Sequence, residues 1–347
     1  MTYLTEILEQ PMALSRLYDS WQSSALLSRL SQAYARCPRP LVFVGMGSSH
    51  YAPIVIRPRL ARAGIPYRME EAGEVLHYER DTIAKESWVI AISQSGESYE
   101  TRELAKFLEG RVERVIAITN EPQSTLAHVA DDVLLLGAGV EAGSTTKTFL
   151  STCFGLHMLV DALSGEELVT RDIVMELQRV LETKHSEIAK QAEEMISFLD
   201  VTSERVPHPI HLVARGPMMA TALQSALILA ETTDLFACAL SGGSFRHGPF
   251  ELVGPGHRAI FFAPDGATQH LVIKMALEVH KRGSKVVVVG DFAGHLPFPQ
   301  IHVPSVSEEW APLLYFLPME LFGYAVALWR GRIPGMMTQM GKVTAVE

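Results

Sequence analysis

Cysteine is scarce in this chain, with Cys37, Cys153 and Cys238 the whole complement in 347 residues. Their wide spacing makes no metal-ligand or redox pattern, so a disulfide scaffold and a zinc module are excluded and reduced thiols in or near a core are expected. Excess positive charge is also missing. The formal net charge is −9, so there is no basic face for nucleic acid. An anionic ligand must then be held by local, oriented donors rather than by a bulk field. The N-terminus, Met1-Thr2-Tyr3-Leu4-Thr5-Glu6, lacks a basic region and an apolar run, so no secretory signal is visible and a cytoplasmic location is expected. Only Trp310 to Trp329 is long and apolar, and it contains Pro312, Pro318 and Glu320. That length barely reaches the roughly 20 residues a spanning helix needs, so a buried core or subunit-interface helix is expected and no membrane. The phosphate-loop pattern Gly-x-x-x-x-Gly-Lys-Ser/Thr is absent, which excludes that kind of nucleotide site.

What remains is a globular balance of 48% apolar and 20% charged residues. The residues to about Ser31 read as helical. Leu41-Val42-Phe43-Val44 is then a short strand running into Gly45-Met46-Gly47-Ser48-Ser49 and a helical stretch through Ala63. Trp88-Val89-Ile90-Ala91-Ile92 repeats the pattern, passing through Ser93-Gln94-Ser95-Gly96 into a helix from Tyr99 to Leu108. Val115 to Ile118 and Val133 to Leu136 are the next strands. After a charged helical segment, about Arg171 to Phe198, a second series follows at 210–214, 259–263, 286–289 and 301–303. Alternating strands and helices predict parallel sheets covered on both faces. The spacing predicts two tandem doubly wound α/β units related by internal duplication. The expected boundaries are 1–30 for an N-terminal helical segment, 31–165 for the first unit, 166–204 for a linker helix, 205–330 for the second unit, and 331–347 for a tail or lid.

Ligands of open α/β sheets bind beyond the carboxyl ends of strands, where helix N-termini offer N–H groups and partial positive charge. Ser93, Ser95 and Ser98 add hydroxyls there, Gln94 an amide, and Gly96 a close backbone approach. Ser49 ends the neighbouring loop. Serine and glycine clusters also cap helices and fill turns, but two such loops after consecutive strands predict an anion site. In the second copy the corresponding loop is Pro264-Asp265-Gly266, so only the first copy is expected to hold the anion.

Three further residues stand out. Glu231 ends the apolar helical run Ala222 to Ala230, where a carboxylate is out of character and would suit a general base. His247 lies in the small-residue loop Ser241-Gly242-Gly243-Ser244-Phe245-Arg246-His247-Gly248-Pro249-Phe250, and its imidazole titrates near neutrality. Lys342 lies in the terminal segment. A surface glutamate, an ordinary loop histidine and a frayed tail are the plain alternatives.

Together these residues resemble the double-SIS (sugar isomerase) family, in particular the isomerase half of glucosamine-6-phosphate synthase and its glutaminase-free relatives. The resemblance rests on Gly47-Ser48-Ser49, Ile92 to Glu97, Thr146-Lys147, Glu231, His247-Gly248-Pro249, Ala311 to Leu328 and Lys342 to Glu347. It implies that Ser49, Ser93, Gln94, Ser95 and Ser98 bind a sugar 6-phosphate, with Gly47, Ser48, Thr146 and Gln224 also contacting substrate. It implies Glu231 as the base moving a proton between C1 and C2, His247 for ring opening across a homodimer interface with shared active sites, and Lys342 on a closing C-terminal lid. Neither a metal nor an organic cofactor is implied. Nothing N-terminal resembles a glutaminase domain, which argues against glutamine-dependent synthesis.

Two positions depart from the synthase pattern. Gln224 stands where that pattern has a glutamate, and Ile228 where it has a lysine. The Leu223-Gln224-Ser225 and His247 to Glu251 patterns look more like deglycases, which cleave 6-phosphorylated fructosyl-amine (Amadori) compounds. The Glu141 to Lys147 loop is about one residue shorter than in the synthase. The expected function is therefore an isomerase-type reaction on an amino- or N-substituted sugar 6-phosphate, either isomerase/deaminase or deglycase. The alternative is a non-catalytic sugar-phosphate-binding regulatory module.

Overall fold

The protein is described by a computed structural model that covers residues 2–201, 209–292, 294–339 and 341–346. The first sheet contains β1 (Leu41–Gly45), β2 (Tyr67–Glu71), β3 (Trp88–Ile92), β4 (Arg114–Thr119) and β5 (Asp132–Leu135) in the order β2-β1-β3-β4-β5. The second contains β6 (Ile210–Ala214), β7 (Ala237–Ser241), β8 (Arg258–Phe262), β9 (Lys285–Val289) and β10 (Gln300–Ile301) in the order β10-β9-β8-β6-β7. Every strand pairing in both is parallel. Read from the β7 edge, the second sheet repeats the strand order of the first, which is the topology the expected duplication requires.

Two strands were not legible in the sequence. β2 and β7 are edge strands whose residues are only partly buried. Tyr67-Arg68-Met69-Glu70-Glu71 carries three charged residues, and Ala237-Cys238-Ala239-Leu240-Ser241 has small side chains of weak β preference. Backbone pairing to β1 and β6 holds them, not an apolar pattern. The central strands β1, β3, β6 and β8 are buried at every residue, which is why they read as continuous apolar runs.

The chain forms two compact units. The first-sheet unit comprises Glu9–Glu141, Thr145–Gln178 and Gln339–Glu347, and the second-sheet unit Met1–Leu8, Ala142–Ser144 and Arg179–Thr338. Each unit is thus assembled from three stretches of the chain.

In the first-sheet unit, valines and alanines of β1, β3 and β4 pack with Leu104, Ala105 and Leu108 of the helix Tyr99–Leu108. The helix Lys147–Ser164 is buried along most of its length and packs on the helices Gln10–Gln22 and Ala25–Arg36. Gly155 permits that contact, since a Cβ there would lie 2.8 Å from the Trp21 ring. Arg59 is wholly buried. Its guanidinium donates to the His157 carbonyl at 3.0 Å and to Glu166 at 2.8 Å, and it also pairs with Asp161.

In the second-sheet unit, Val213, Phe261 and Val288 pack with Val272, Met275 and Val279 of the helix Gln269–Lys281. The helix Met218–Thr233 lies against β6, β7 and the helix Leu317–Trp329. The apolar stretch noted in the sequence is a short helix, Ala311–Leu314, followed by Leu317–Trp329, and it is largely buried within its unit. Behind β6 and β8, His211 Nδ1 lies 3.0 Å from His257 Nε2, and His257 Nδ1 lies 3.0 Å from the Ser284 hydroxyl.

Two stability predictions follow from these buried polar groups. Arg59→Met should leave Asp161 and Glu166 without their partner and lower unfolding free energy by about 3 kcal/mol, read from the urea midpoint. Burial holds the His211 imidazole below its ordinary value. Between that lowered value and about 6.5, the unfolded chain binds the proton more readily than the folded one, so stability falls as pH falls through the window. His211→Phe should flatten the loss between pH 7 and 5 in urea titrations.

Candidate functional site

In the first-sheet unit the two serine loops leave the carboxyl ends of adjacent strands, because Gly45 of β1 pairs with Ile92 of β3. The chain's strand order reverses between those strands, which is the switch point where open α/β sheets bind ligands. Gly45 lets the first loop fold tightly, since a Cβ there would lie 2.9 Å from Ser49. Gly47 (φ 48°) precedes the short helix Ser48–Tyr51. Ser48, Ser49, Gln94, Ser95 and Ser98 are half-buried, and Ser93 is buried.

The second loop is held from within. The Gly96 N–H donates to the Ser93 hydroxyl at 3.1 Å, and the Glu97 N–H to the Ser95 hydroxyl at 3.1 Å. The hydroxyls of Ser93 and Ser98 are 3.2 Å apart. Ser98 sits at the N-cap of Tyr99–Leu108 without a side-chain capping bond, so its hydroxyl is not spent on the ordinary capping role. The Gln94 carbonyl accepts from the Asn120 N–H at 3.0 Å. Glu97 clamps the far side. Its carboxylate accepts the Thr125 N–H at 2.6 Å, the Thr125 hydroxyl at 2.9 Å and the Arg102 guanidinium at 3.3 Å. The Thr125 N–H first, then its hydroxyl and Arg102, hold the Glu97 carboxyl below the usual carboxylate range.

The C-terminal segment lies against this loop. The Thr344 carbonyl accepts the Tyr99 N–H at 3.0 Å, and the Ala345 carbonyl accepts from Arg102 at 3.1 Å. Lys342 donates to the carbonyl and the carboxylate of Glu141, the latter at 3.1 Å. The Glu141 carboxylate is buried and also accepts the N–H and hydroxyl of both Thr146 and Thr148. Thr146, expected near substrate, is fully buried with its donors turned to Glu141.

The second-sheet unit holds the other residues. Glu231 is half-buried in the last turn of Met218–Thr233 and accepts a hydrogen bond from the Ser144 hydroxyl. Gln224, two turns earlier, is fully buried, and neither of its amide atoms has a protein partner among the described residues. His247 is exposed at the end of the short helix Gly242–Arg246, its N–H donating to the Gly243 and Ser244 carbonyls. The neighbouring Arg246 pairs with Glu278 at 2.7 Å and stacks on Phe250.

The second copy's counterpart of the serine loop is covered by the protein itself. Glu308 accepts from the Ala267 N–H at 3.4 Å, and a Cβ on Gly266 would lie 2.7 Å from its carboxylate oxygen. A protein carboxylate stands over the loop that lacks serines.

Residues 35–162 match the SIS domain. The chain contains a SIS domain over that stretch. It is similar to glutamine–fructose-6-phosphate aminotransferase (isomerizing) of Aeropyrum pernix, with 32% identity over 99% of this chain and 57% of that protein. The chain thus spans from about a third to little more than half of the length of the curated relatives it matches. Among solved structures it is similar to the C-terminal domain of glucosamine-fructose-6-phosphate aminotransferase from Francisella tularensis, with 23% identity, coverage of 97% and 98%, and a TM-score of 0.79. Glucosamine-6-phosphate deaminase from Thermotoga maritima has 22% identity, 99% coverage of both chains and a TM-score of 0.76. These likenesses agree with the two parallel five-stranded sheets.

Sequence reading missed Ser144, Glu141, Glu97 and Arg102 as residues that shape these groups. Each meets a partner whose position only the fold reveals, and Ser144 lies 87 residues from Glu231. Gly96 supplies a test of the loop. It has φ +64°, and a Cβ there would fall 2.0 Å from the Ser124 hydroxyl. Gly96→Ala should weaken sugar-phosphate binding at least about tenfold by displacing the loop, measured by calorimetry, with the thermal midpoint recorded alongside.

Proposed function

We propose that the protein is a phosphosugar enzyme of the isomerase type, acting on an amino- or N-substituted sugar 6-phosphate. The observation that carries this reading is the pair of serine loops at the carboxyl ends of β1 and β3, on either side of the switch point. In the proposal, Ser49, Ser93, Gln94, Ser95 and Ser98 anchor the 6-phosphate, and Glu231 moves a proton between C1 and C2. His247 assists ring opening, and its exposure suits delivery across the interface of a homodimer. Lys342 and the terminal segment form a lid, supported by the contacts of Thr344 and Ala345 with Tyr99 and Arg102. No cofactor is needed for these steps.

The family's names in the relatives point to amino-sugar phosphates, and two departures narrow the substrate. Ile228 is fully buried and Gln224 is buried and neutral, so the face of the helix leading to Glu231 lacks the charged pair of the synthase pattern. We favour an Amadori product, a fructosyl-amine 6-phosphate. Glu231 would take a proton from C1, giving an enaminol, and return it to C2, giving an imine at C1. Water then adds at C1, releasing hexose 6-phosphate and the amine. With glucosamine 6-phosphate the shift runs from C2 to C1, and hydrolysis releases ammonia and a ketose phosphate.

The test is release of hexose 6-phosphate from fructosyl-amino-acid 6-phosphates and from glucosamine 6-phosphate. Glu231→Gln should lower turnover at least about 100-fold, the contribution of a general base, while phosphosugar affinity changes less than about threefold. A regulatory module would give no product and would be indifferent to the substitution. No product from either substrate with folded protein defeats the enzymatic reading.

A further inference from the structure

Within the second-sheet unit the carboxylate taken above as the base is not left to its own rotamers. We infer that Ser144 is a positioning residue for Glu231, setting the direction of its carboxylate for proton transfer, an inference that rests on the reading of Glu231 as the base. Ser144 is buried, and its hydroxyl donates to Glu231 Oε2. A hydroxyl that gives its one hydrogen to a carboxylate orients that group without removing its capacity to accept a proton.

The segment carrying the donor is anchored at two backbone N–H groups. The Ser144 N–H donates to the Gly335 carbonyl at 2.8 Å. The preceding Gly143 admits that approach, because a Cβ there would lie 2.4 Å from the Gly335 oxygen. One residue further back, the Ala142 N–H donates to Glu6 Oε1 at 2.7 Å, from the buried face of the helix Tyr3–Leu8. Gly335 in turn has φ +78° and packs so closely on Tyr3 that a Cβ would fall 2.5 Å from its ring. Backbone atoms of Ala142 and Ser144 are thus pinned, and serine adds one rotatable bond before the hydroxyl. Glutamate has three rotatable bonds between its backbone and its carboxylate plane. A short, pinned donor facing a long, flexible acceptor is the arrangement that transfers order to the acceptor. Ser144 touches no reacting atom in this scheme and acts through Glu231.

This assignment separates from a purely structural role in its kinetic signature. With the substrate that wild type turns over, Ser144→Ala should lower kcat about tenfold to 100-fold, the cost of a misdirected reacting group, with KM within about twofold. The primary isotope effect should rise for substrate deuterated at the carbon that loses the proton, because that step becomes slower relative to the others. Ser144→Thr, which keeps the hydroxyl, should restore most of kcat. Unchanged or raised kcat in Ser144→Ala, with Glu231→Gln inactive, overturns the role of Ser144 and leaves the base in place. A loss in Ser144→Ala that comes with weakened binding and a lowered thermal midpoint, and without rescue by threonine, also overturns it. Full turnover in Glu231→Gln, or no turnover by wild type on either substrate class, defeats both inferences.

Discussion

The constraint on which the rest depends is the parallel pairing of a strand with neighbours on both sides. β1 pairs with β2 and β3, and β6 pairs with β7 and β8, all parallel. Parallel neighbours cannot be joined by a tight turn, so each connection crosses the sheet and returns, usually through a helix. With the order β2-β1-β3-β4-β5, successive connections depart in opposite directions from β1 and β3. The space between the two departures is the switch point at which open α/β sheets bind ligands, and both loops bordering it end in serine. Placement of the serine loops is thus a consequence of pairing order, and the chemistry is supplied by the residues that happen to occupy the turn.

The two copies show how one topology carries different content. In the first, the loop after β3 uses Ser93, Ser95 and Ser98 as hydroxyl groups, with Gly96 at positive φ allowing the turn. In the second, the loop after β8 contains Asp265 and Gly266, and Glu308 stands against Gly266 and Ala267. A negative side chain near loop N–H groups is what the partial charge at a helix start favours. The second copy satisfies that preference from its own chain, while the first keeps hydroxyls there.

Legibility in the sequence followed the range of the interaction concerned. Central strands and the long helix Arg171–Leu199 were readable because burial on both faces or along one face writes itself into local composition. β2 and β7 were not, since an edge strand is held mainly by backbone bonds that any side chain permits. The serine loops were readable as a pattern, and Glu231 stood out against its apolar run. The donor that meets Glu231 was not, because nothing in Ala142-Gly143-Ser144 distinguishes a turn serine from one aimed at a carboxylate 87 positions away. Thr146 shows the converse: a hydroxyl noted for a ligand has its donors turned to Glu141.

A chain of net charge −9 would gain nothing from its overall field in holding the anion proposed for it, so local donors would have to do that work. Three cations of the first-sheet unit are paired with acids: Arg102 with Glu97 and Glu103, Lys342 with Glu141, and Lys147 with Glu9. A free lysine at the loop would attract any phosphate from solution, and its charge would be poorly directional. Hydroxyl and backbone donors act only at hydrogen-bond range, so they reward an anion whose remainder also fits. The carboxylates serve the same end. Glu97 fixes the loop to Thr125, and Glu141 gathers Thr146, Thr148 and Lys342 about one buried point. Pairing these cations with acids lets the first-sheet unit use charge to hold its loops in place, and in the proposed reading it leaves recognition of the anion to hydroxyl and backbone donors.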